Sequence, residues 1–290
     1  MAMKYFSPQF KIATLAPKQK RLRSKIGGVP WGLPAKRWPK CCGFPQKLLA
    51  QLCHKPPMLD LGTTGTVLYL FQCLECLGID GLGSGKSDSG GRAAFILHRS
   101  EMGSGFTTVD GFDHSPEMGE RLIGEAFIEG YQNADDGIPE SRLPEFYKEE
   151  SVWALHEEFS QINWFGEGMT KFGGSPRWTG NGPMSCPRKP YEFLFQLNSS
   201  LRVNGHPPTP DEAGCKVGTH SVRKNGETIR SQTLTPRPEN VRMNAPWGIS
   251  FERTANHYEF EFTNLGTDGR VYVFINRART PHAVTWFWNR

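Results

Sequence analysis

Gly85-Lys86-Ser87 is the first place in this chain where residue type and spacing approach a known chemistry, the binding of phosphate. A phosphate cradle needs Gly, four residues and then Gly-Lys-Ser, so that consecutive backbone N–H groups and a helix N-terminus surround the anion. Asp80 stands where that pattern requires glycine, and its carboxylate would oppose the phosphates. Ser87-Asp88-Ser89-Gly90-Gly91 would break the helix that the cradle must open. Gly81–Ser87 is therefore expected to be a surface loop without a nucleotide.

Cys73-Leu74-Glu75-Cys76 has the spacing of half a zinc site, and Cys41, Cys42, Cys53 and His54 lie upstream. A structural zinc site needs four ligands, usually two such pairs converging in space. No second CxxC exists, so no metal and no other cofactor is expected. The seven cysteines are expected as reduced thiols of a non-secreted protein. The eight histidines are scattered, and neither HExxH nor a nucleophile elbow is present. No catalytic residue is assigned, and the chain is not expected to be an enzyme.

The residues that recur are of another kind. Lys25-Ile26-Gly27-Gly28-Val29-Pro30 returns as Lys171-Phe172-Gly173-Gly174-Ser175-Pro176. Leu48-Leu49-Ala50-Gln51-Leu52 returns as Phe193-Leu194-Phe195-Gln196-Leu197, and Gly65–Phe71 finds an echo in Gly269–Ile275. Three blocks in the same order argue for an internal duplication. The glycine pairs suit backbone with φ > 0 or close approach. Gln51 and Gln196 sit within apolar runs, so their amides must be hydrogen-bonded inside the fold.

Charge is segregated along the chain. Residues 1–59 hold twelve Lys or Arg and no acid, whereas residues 110–167 hold fifteen acids against three bases. Trp31 and Trp38 are interleaved with Lys25, Lys36, Arg37 and Lys40, which leaves a nucleic-acid surface on the basic N-terminal part as an alternative. Because the tryptophans lie in Pro- and Gly-bearing turn sequence, direct nucleic-acid binding is not the preferred reading. The basic N-terminus has no apolar h-region, so a secretory signal is not expected. No run of 18 apolar residues exists to span a membrane. A cytoplasmic location is expected.

The elements that must position these residues are mainly strands, since Gly and Pro together make up 54 of 290 residues and punctuate the chain often. The apolar, turn-bounded runs 48–52, 67–74, 93–97, 191–197, 257–263 and 271–276 predict strands. The closing Trp286-Phe287-Trp288 is expected to pack on the core. Ser115-Pro116-Glu117 has the form of a helix entry, which predicts a helix over 117–132. A second helix is expected within 141–165. The division that follows is a basic arm (1–23), a first unit (24–110), an acidic, partly helical connector (111–167) and a second unit (168–290). The second unit carries a polar insertion, 201–245, expected to be surface loops.

Taken in order, Lys-Ile-Gly-Gly-x-Pro, Trp38-Pro39, the strand ending in Gln51-Leu52, and Gly65-Thr66-Val67-Leu68-Tyr69-Leu70-Phe71-Gln72 resemble the YwqG-like family, and the blocks from Lys171 to Ile275 resemble its second half. The resemblance implies an α+β protein of two related antiparallel-sheet units without an established active site. It also implies a bacterial binding role, since members of that family look like immunity proteins against toxins, including type VI secretion effectors. The expected partner is a cognate protein toxin, a nuclease by preference, bound by a monomer that becomes a heterodimer. An enzyme with a site between the two units is the alternative. A nuclease carries a cationic surface for phosphates, so a complementary acidic face would speed its capture. Glu117, Glu120, Glu125 and Glu129 on the predicted helix, with Asp135, Asp136 and Glu140 beyond it, are the expected partner-binding residues.

Overall fold

The computed structural model describes residues 2–12, 21–73, 91–107, 109, 125–159, 170–179, 186–204, 215–224, 227–236, 248–251, 257–261, 269–279 and 282–289. Strands β1 (Ala2–Ile12), β2 (Lys25–Ile26), β3 (Lys40–Cys41), β4 (Phe44–Pro45), β5 (Lys47–Cys53), β6 (Thr66–Gln72), β7 (Arg92–His98) and β8 (Ala126–Pro139) form its first part. A 3-10 segment, Glu140–Tyr147, leads into helix α1 (Glu149–Glu158). Strands β9 (Lys171–Gly173), β10 (Tyr191–Asn198), β11 (Ser200–Asn204), β12 (Cys215–Lys224), β13 (Glu227–Pro236), β14 (Gly248–Phe251), β15 (His257–Glu261), β16 (Arg270–Asn276) and β17 (Ala283–Asn289) follow. The protein is thus predominantly antiparallel β-sheet with short helices.

Instead of two separate sheets, one continuous path runs β7-β6-β5-β2-β8-β1-β9-β10-β16-β17. Its centre is the long antiparallel pair of β1 and β8, in register from Ala2↔Pro139 to Ile12↔Ala126 with two shifts. On the far edge of β1, β9 pairs at Tyr5 and Phe6, and β11 pairs in parallel at Phe10↔Val203. From β11 a branch continues through β15, β14 and β13 to β12. The path curls until β7 and β17 meet, where the Trp286 indole donates to the Ala93 carbonyl at 3.2 Å. Near-closure of this kind leaves few unpaired edges.

The alternation of side chains explains why β6 and β16 are buried along their whole length. Leu68 and Leu70 of β6 share one core with Val271, Val273 and Ile275 of β16. The opposite face of β6, Val67, Tyr69 and Phe71, is covered by Leu33 and Trp38. That of β16, Tyr272 and Phe274, is covered by Trp178, Phe287 and Val152 of α1. Period-two side chains therefore feed a shared core on one side and two lateral clusters on the other.

Several sequence expectations change here. Ala2–Ile12, half of the supposed basic arm, is the central strand β1. The described part of the helix expected over 117–132 is strand, because Ala126-Phe127-Ile128 pairs with the exposed edge of β1 and Gly130 and Gly137 disfavour helix. Glu117 and Glu120, with the helix entry at Ser115, lie outside the described residues, as does Gly81–Ser87. The second helix exists, over Glu149–Glu158. The 201–245 insertion contains paired strands, β12 against β13 from Cys215↔Pro236 to Lys224↔Glu227. Within the described residues the six predicted strands correspond to β5, β6, β7, β10, β15 and β16, and the Trp286 run lies in β17.

Candidate functional site

Two lysines, each opening a Gly-Gly turn, are wholly buried, and each is met by a carboxylate, Glu125 just before β8 or Asp136 within it. Lys25 Nζ donates to Glu125 Oε1 and to the Val29 carbonyl, both at 2.5 Å. Lys171 Nζ donates to Asp136 Oδ1 at 2.9 Å, and Asp136 Oδ2 accepts from Ser175 N (2.6 Å) and Ser175 Oγ (2.9 Å). The lysine and carboxylate of the second pair are both 0% exposed, whereas Glu125 keeps 14% exposure. Burial pulls both lysines below their usual range, and the facing carboxylates pull them back up. Each carboxylate lies against the second glycine of its turn: a side chain at Gly28 would strike Glu125, and one at Gly174 would strike Asp136. Gly27, Gly28, Gly173 and Gly174 all have φ between 65° and 74°, the left-handed region glycine tolerates.

A second matched set surrounds the glutamines. Gln51 Oε1 accepts from the Trp31 N–H at 2.7 Å, and Gln196 Oε1 accepts from the Arg177 N–H at 2.8 Å. Opposite Gln51 on β6 stands Tyr69, whose hydroxyl donates to the Trp31 carbonyl at 2.7 Å. Opposite Gln196 on β16 stands Tyr272, whose hydroxyl donates to the Arg177 carbonyl at 2.6 Å. The sequence alignment of Gly65–Phe71 with Gly269–Ile275 is one residue out, since it places Leu68, not Tyr69, against Tyr272. A one-residue slip turns every side chain to the other face, and only the cross-strand pairing reveals it.

Apart from the partly exposed Glu125 carboxylate, these constellations are sealed, so their chemistry is that of fold pins: each satisfies backbone groups of the 25–31 or 171–177 turn. Pro30 and Pro176, at the matching place in each turn, are both buried. Burial raises the pKa of Tyr69 and Tyr272 above 10.0. The folded state keeps these protons after the unfolded chain has released them, so stability is full below pH 10 and falls as pH rises beyond it. Denaturant titrations at stepped pH should show the midpoint dropping above pH 10, and Tyr69→Phe with Tyr272→Phe should lessen that drop, the rest staying with Tyr131 and Tyr147, which burial raises in the same way.

The expected acidic face divides in two. Glu125 and Asp136 are internal, and Glu129 forms an ion pair with Arg23 at 3.5 Å. Asp135 Oδ1 accepts from Gly137 N at 2.6 Å in a local turn. Asp136 in particular is not a partner contact, because it is enclosed by Lys171 and Ser175. Glu140 is exposed and begins the segment that leads to α1. Helix α1 turns Val152 and Leu155 inward and Glu149, Glu150, Trp153, Ala154, Glu157 and Glu158 outward. Trp153 is 48% exposed, and Glu158 holds Arg142 through two bonds of 2.9 and 3.1 Å. Sequence reasoning missed this face; the signal was Glu-Glu-x-x-Trp-x-x-x-Glu-Glu, acids and an aromatic at helical spacing.

The basic, tryptophan-bearing stretch does not form a stacking platform. Lys25 is buried, Trp38 is buried with its indole donating to the Gln46 carbonyl at 2.8 Å, and Trp31 packs edge-on against Phe106. Just after β16, Arg277 donates to Asp60 Oδ2 and to the Asp60 carbonyl, each at 3.1 Å. His54 Nδ1 accepts from Leu61 N at 3.0 Å beside it. This cluster braces two loops, with its carboxylate already engaged by the guanidinium. No helix among the described residues is long and apolar enough to cross a membrane. Compared with models of protein families and with curated proteins, the chain matches none.

Proposed function

We propose that this chain is a cytoplasmic bacterial binding protein that neutralises a cognate toxin, an immunity protein of the YwqG-like, internally duplicated kind. The matched lysine–carboxylate and glutamine–tyrosine sets support the duplication, with the two copies merged into one sheet. The observation that carries the functional reading is the outer face of α1, where Glu149, Glu150 and Glu157 surround the half-exposed Trp153. An aromatic anchor ringed by charge of one sign is suited to a partner of the opposite sign. A nuclease, which must carry a cationic surface, has that sign. The protein acts as a monomer until it meets the toxin, and α1 rather than β8 supplies the acidic contact.

Co-purification with the product of the adjacent reading frame tests the proposal, and binding kinetics then test the face. Reversing Glu149, Glu150 and Glu157 to Lys should slow association several-fold at low salt, since rim charges act on encounter. The difference should shrink near 1 M salt, where the Debye length is about 3 Å. Trp153→Ala should chiefly speed dissociation. Failure to co-purify sinks the immunity reading, and an unaltered on-rate moves the interface off α1.

A further inference from the structure

We propose that Cys41, Cys42 and Cys73 form a binding site for a single thiophilic d10 cation, zinc(II) or copper(I). Their three sulfurs lie within 4.8 Å of one another, although 31 residues separate Cys42 from Cys73. Two elements bring them together. Cys41 ends β3, and Cys42-Gly43 is the two-residue turn between β3 and β4. Cys73 directly follows β6, is buried, and is held by its backbone N–H to the Gly91 carbonyl at 2.7 Å.

The turn carries an independent mark. With φ of 52° at Cys42 and 80° at Gly43, it has positive φ at both central positions, a geometry that Asn-Gly or Asp-Gly ordinarily supplies. Cys42 is the one non-glycine with positive φ among the described residues. Cysteine has no intrinsic preference for that conformation, and strain of this kind gathers where a side chain must be aimed. Here it accompanies two adjacent sulfurs 3.7 Å apart. A zinc–sulfur bond of about 2.3 Å implies a tetrahedral sulfur–sulfur edge of about 3.8 Å. The vicinal pair thus supplies two sulfurs at ligand spacing, and Cys73 adds the third.

Chemically, the cation displaces one proton from each of three thiols, the protons go to solvent with no change of oxidation state, and zinc(II) would take water as its fourth ligand. Soft thiolates select zinc(II) and copper(I) over harder divalent ions. The β3–β4 hairpin, which stands outside the main sheet, would be tied to the end of β6. Cys53 and Cys186 have no part in the cluster; burial raises both thiols, that of Cys186 to about 12.

The test uses the full reduced chain under anaerobic conditions. Cobalt(II) serves as the spectroscopic surrogate for zinc, and copper(I) is presented in competition with a chromophoric chelator. One equivalent of cobalt(II) giving thiolate charge-transfer absorption assigns zinc(II), whereas binding of copper(I) alone assigns copper(I). Cys42→Ser, at an exposed turn position that spares the core, and the pair Cys41→Ser with Cys42→Ser should weaken binding by more than about 100-fold, beyond what loss of an outer-shell partner costs. Cys186→Ser should leave it unchanged. Uptake of neither ion, or undiminished uptake by the folded Cys41/Cys42 variant as judged by circular dichroism, overturns the site.

Discussion

Asp136→Ala should destabilise the protein by about 3–5 kcal/mol, the cost of leaving a buried lysine without its counter-charge. Lys171 would be left at 0% exposure without the carboxylate that holds its charge, and Ser175 would lose two bonds to the same group. The double change Lys171→Met with Asp136→Leu should recover most of that loss, because well-packed apolar residues often replace a buried pair at little cost. Glu125→Ala should be milder, since Glu125 retains 14% exposure and water can enter to solvate Lys25. Urea unfolding of the four proteins measures all of this. Equal losses for Asp136→Ala and Glu125→Ala would contradict the assigned difference in burial.

Gly174→Ala should be the next most damaging single change. Its φ of 69° strains any residue with a Cβ by about 1–3 kcal/mol. The added methyl would also meet Asp136 Oδ2 and Cγ and the Tyr5 Cβ, so the buried carboxylate must move from Lys171 or the turn must open. Gly173→Ala provides the contrast. Its φ is 74°, yet the nearest atom to an added Cβ is the Lys4 carbonyl oxygen at 3.4 Å, an ordinary contact. The difference between the two melting temperatures isolates the steric part from the backbone part. If Gly173→Ala melts as low as Gly174→Ala, the carboxylate against Gly174 is not what constrains the site.

These two experiments probe residues whose importance could be seen in the sequence but whose role could not. Lys25, Gly28, Lys171 and Gly174 stood out because they recur, and recurrence required no structure. Their carboxylate partners could not be found that way. Glu125 lies 100 residues from Lys25 and Asp136 lies 35 residues before Lys171, and neither belongs to a repeated block. In the sequence both fall within one acidic run, and such runs usually face solvent or a partner. Burial selected two of them for the interior.

By itself, the sequence determined the local elements with short-range causes: turn-bounded apolar runs became β5, β6, β7, β10, β15 and β16, and glycine pairs took left-handed turns. It also determined that Gln51 and Gln196 must be bonded within the fold, since a buried amide cannot go unpaired. Tertiary structure decided whatever depended on a neighbour distant in the chain. Residues 126–139 became strand because the edge of β1 offered a continuous ladder of unpaired backbone groups, and that outweighs helical patterning over a glycine-bearing segment. The pairing of β1 with β8 and β9, which carries the strands into one sheet, likewise removes edges that would otherwise stand open. The meeting of Cys73 with Cys41 and Cys42 has the same origin: sequence spacing constrains a metal-like cluster only within one turn or hairpin, and the approach of the β3–β4 turn to the end of β6 is set by packing on the outer face of β6.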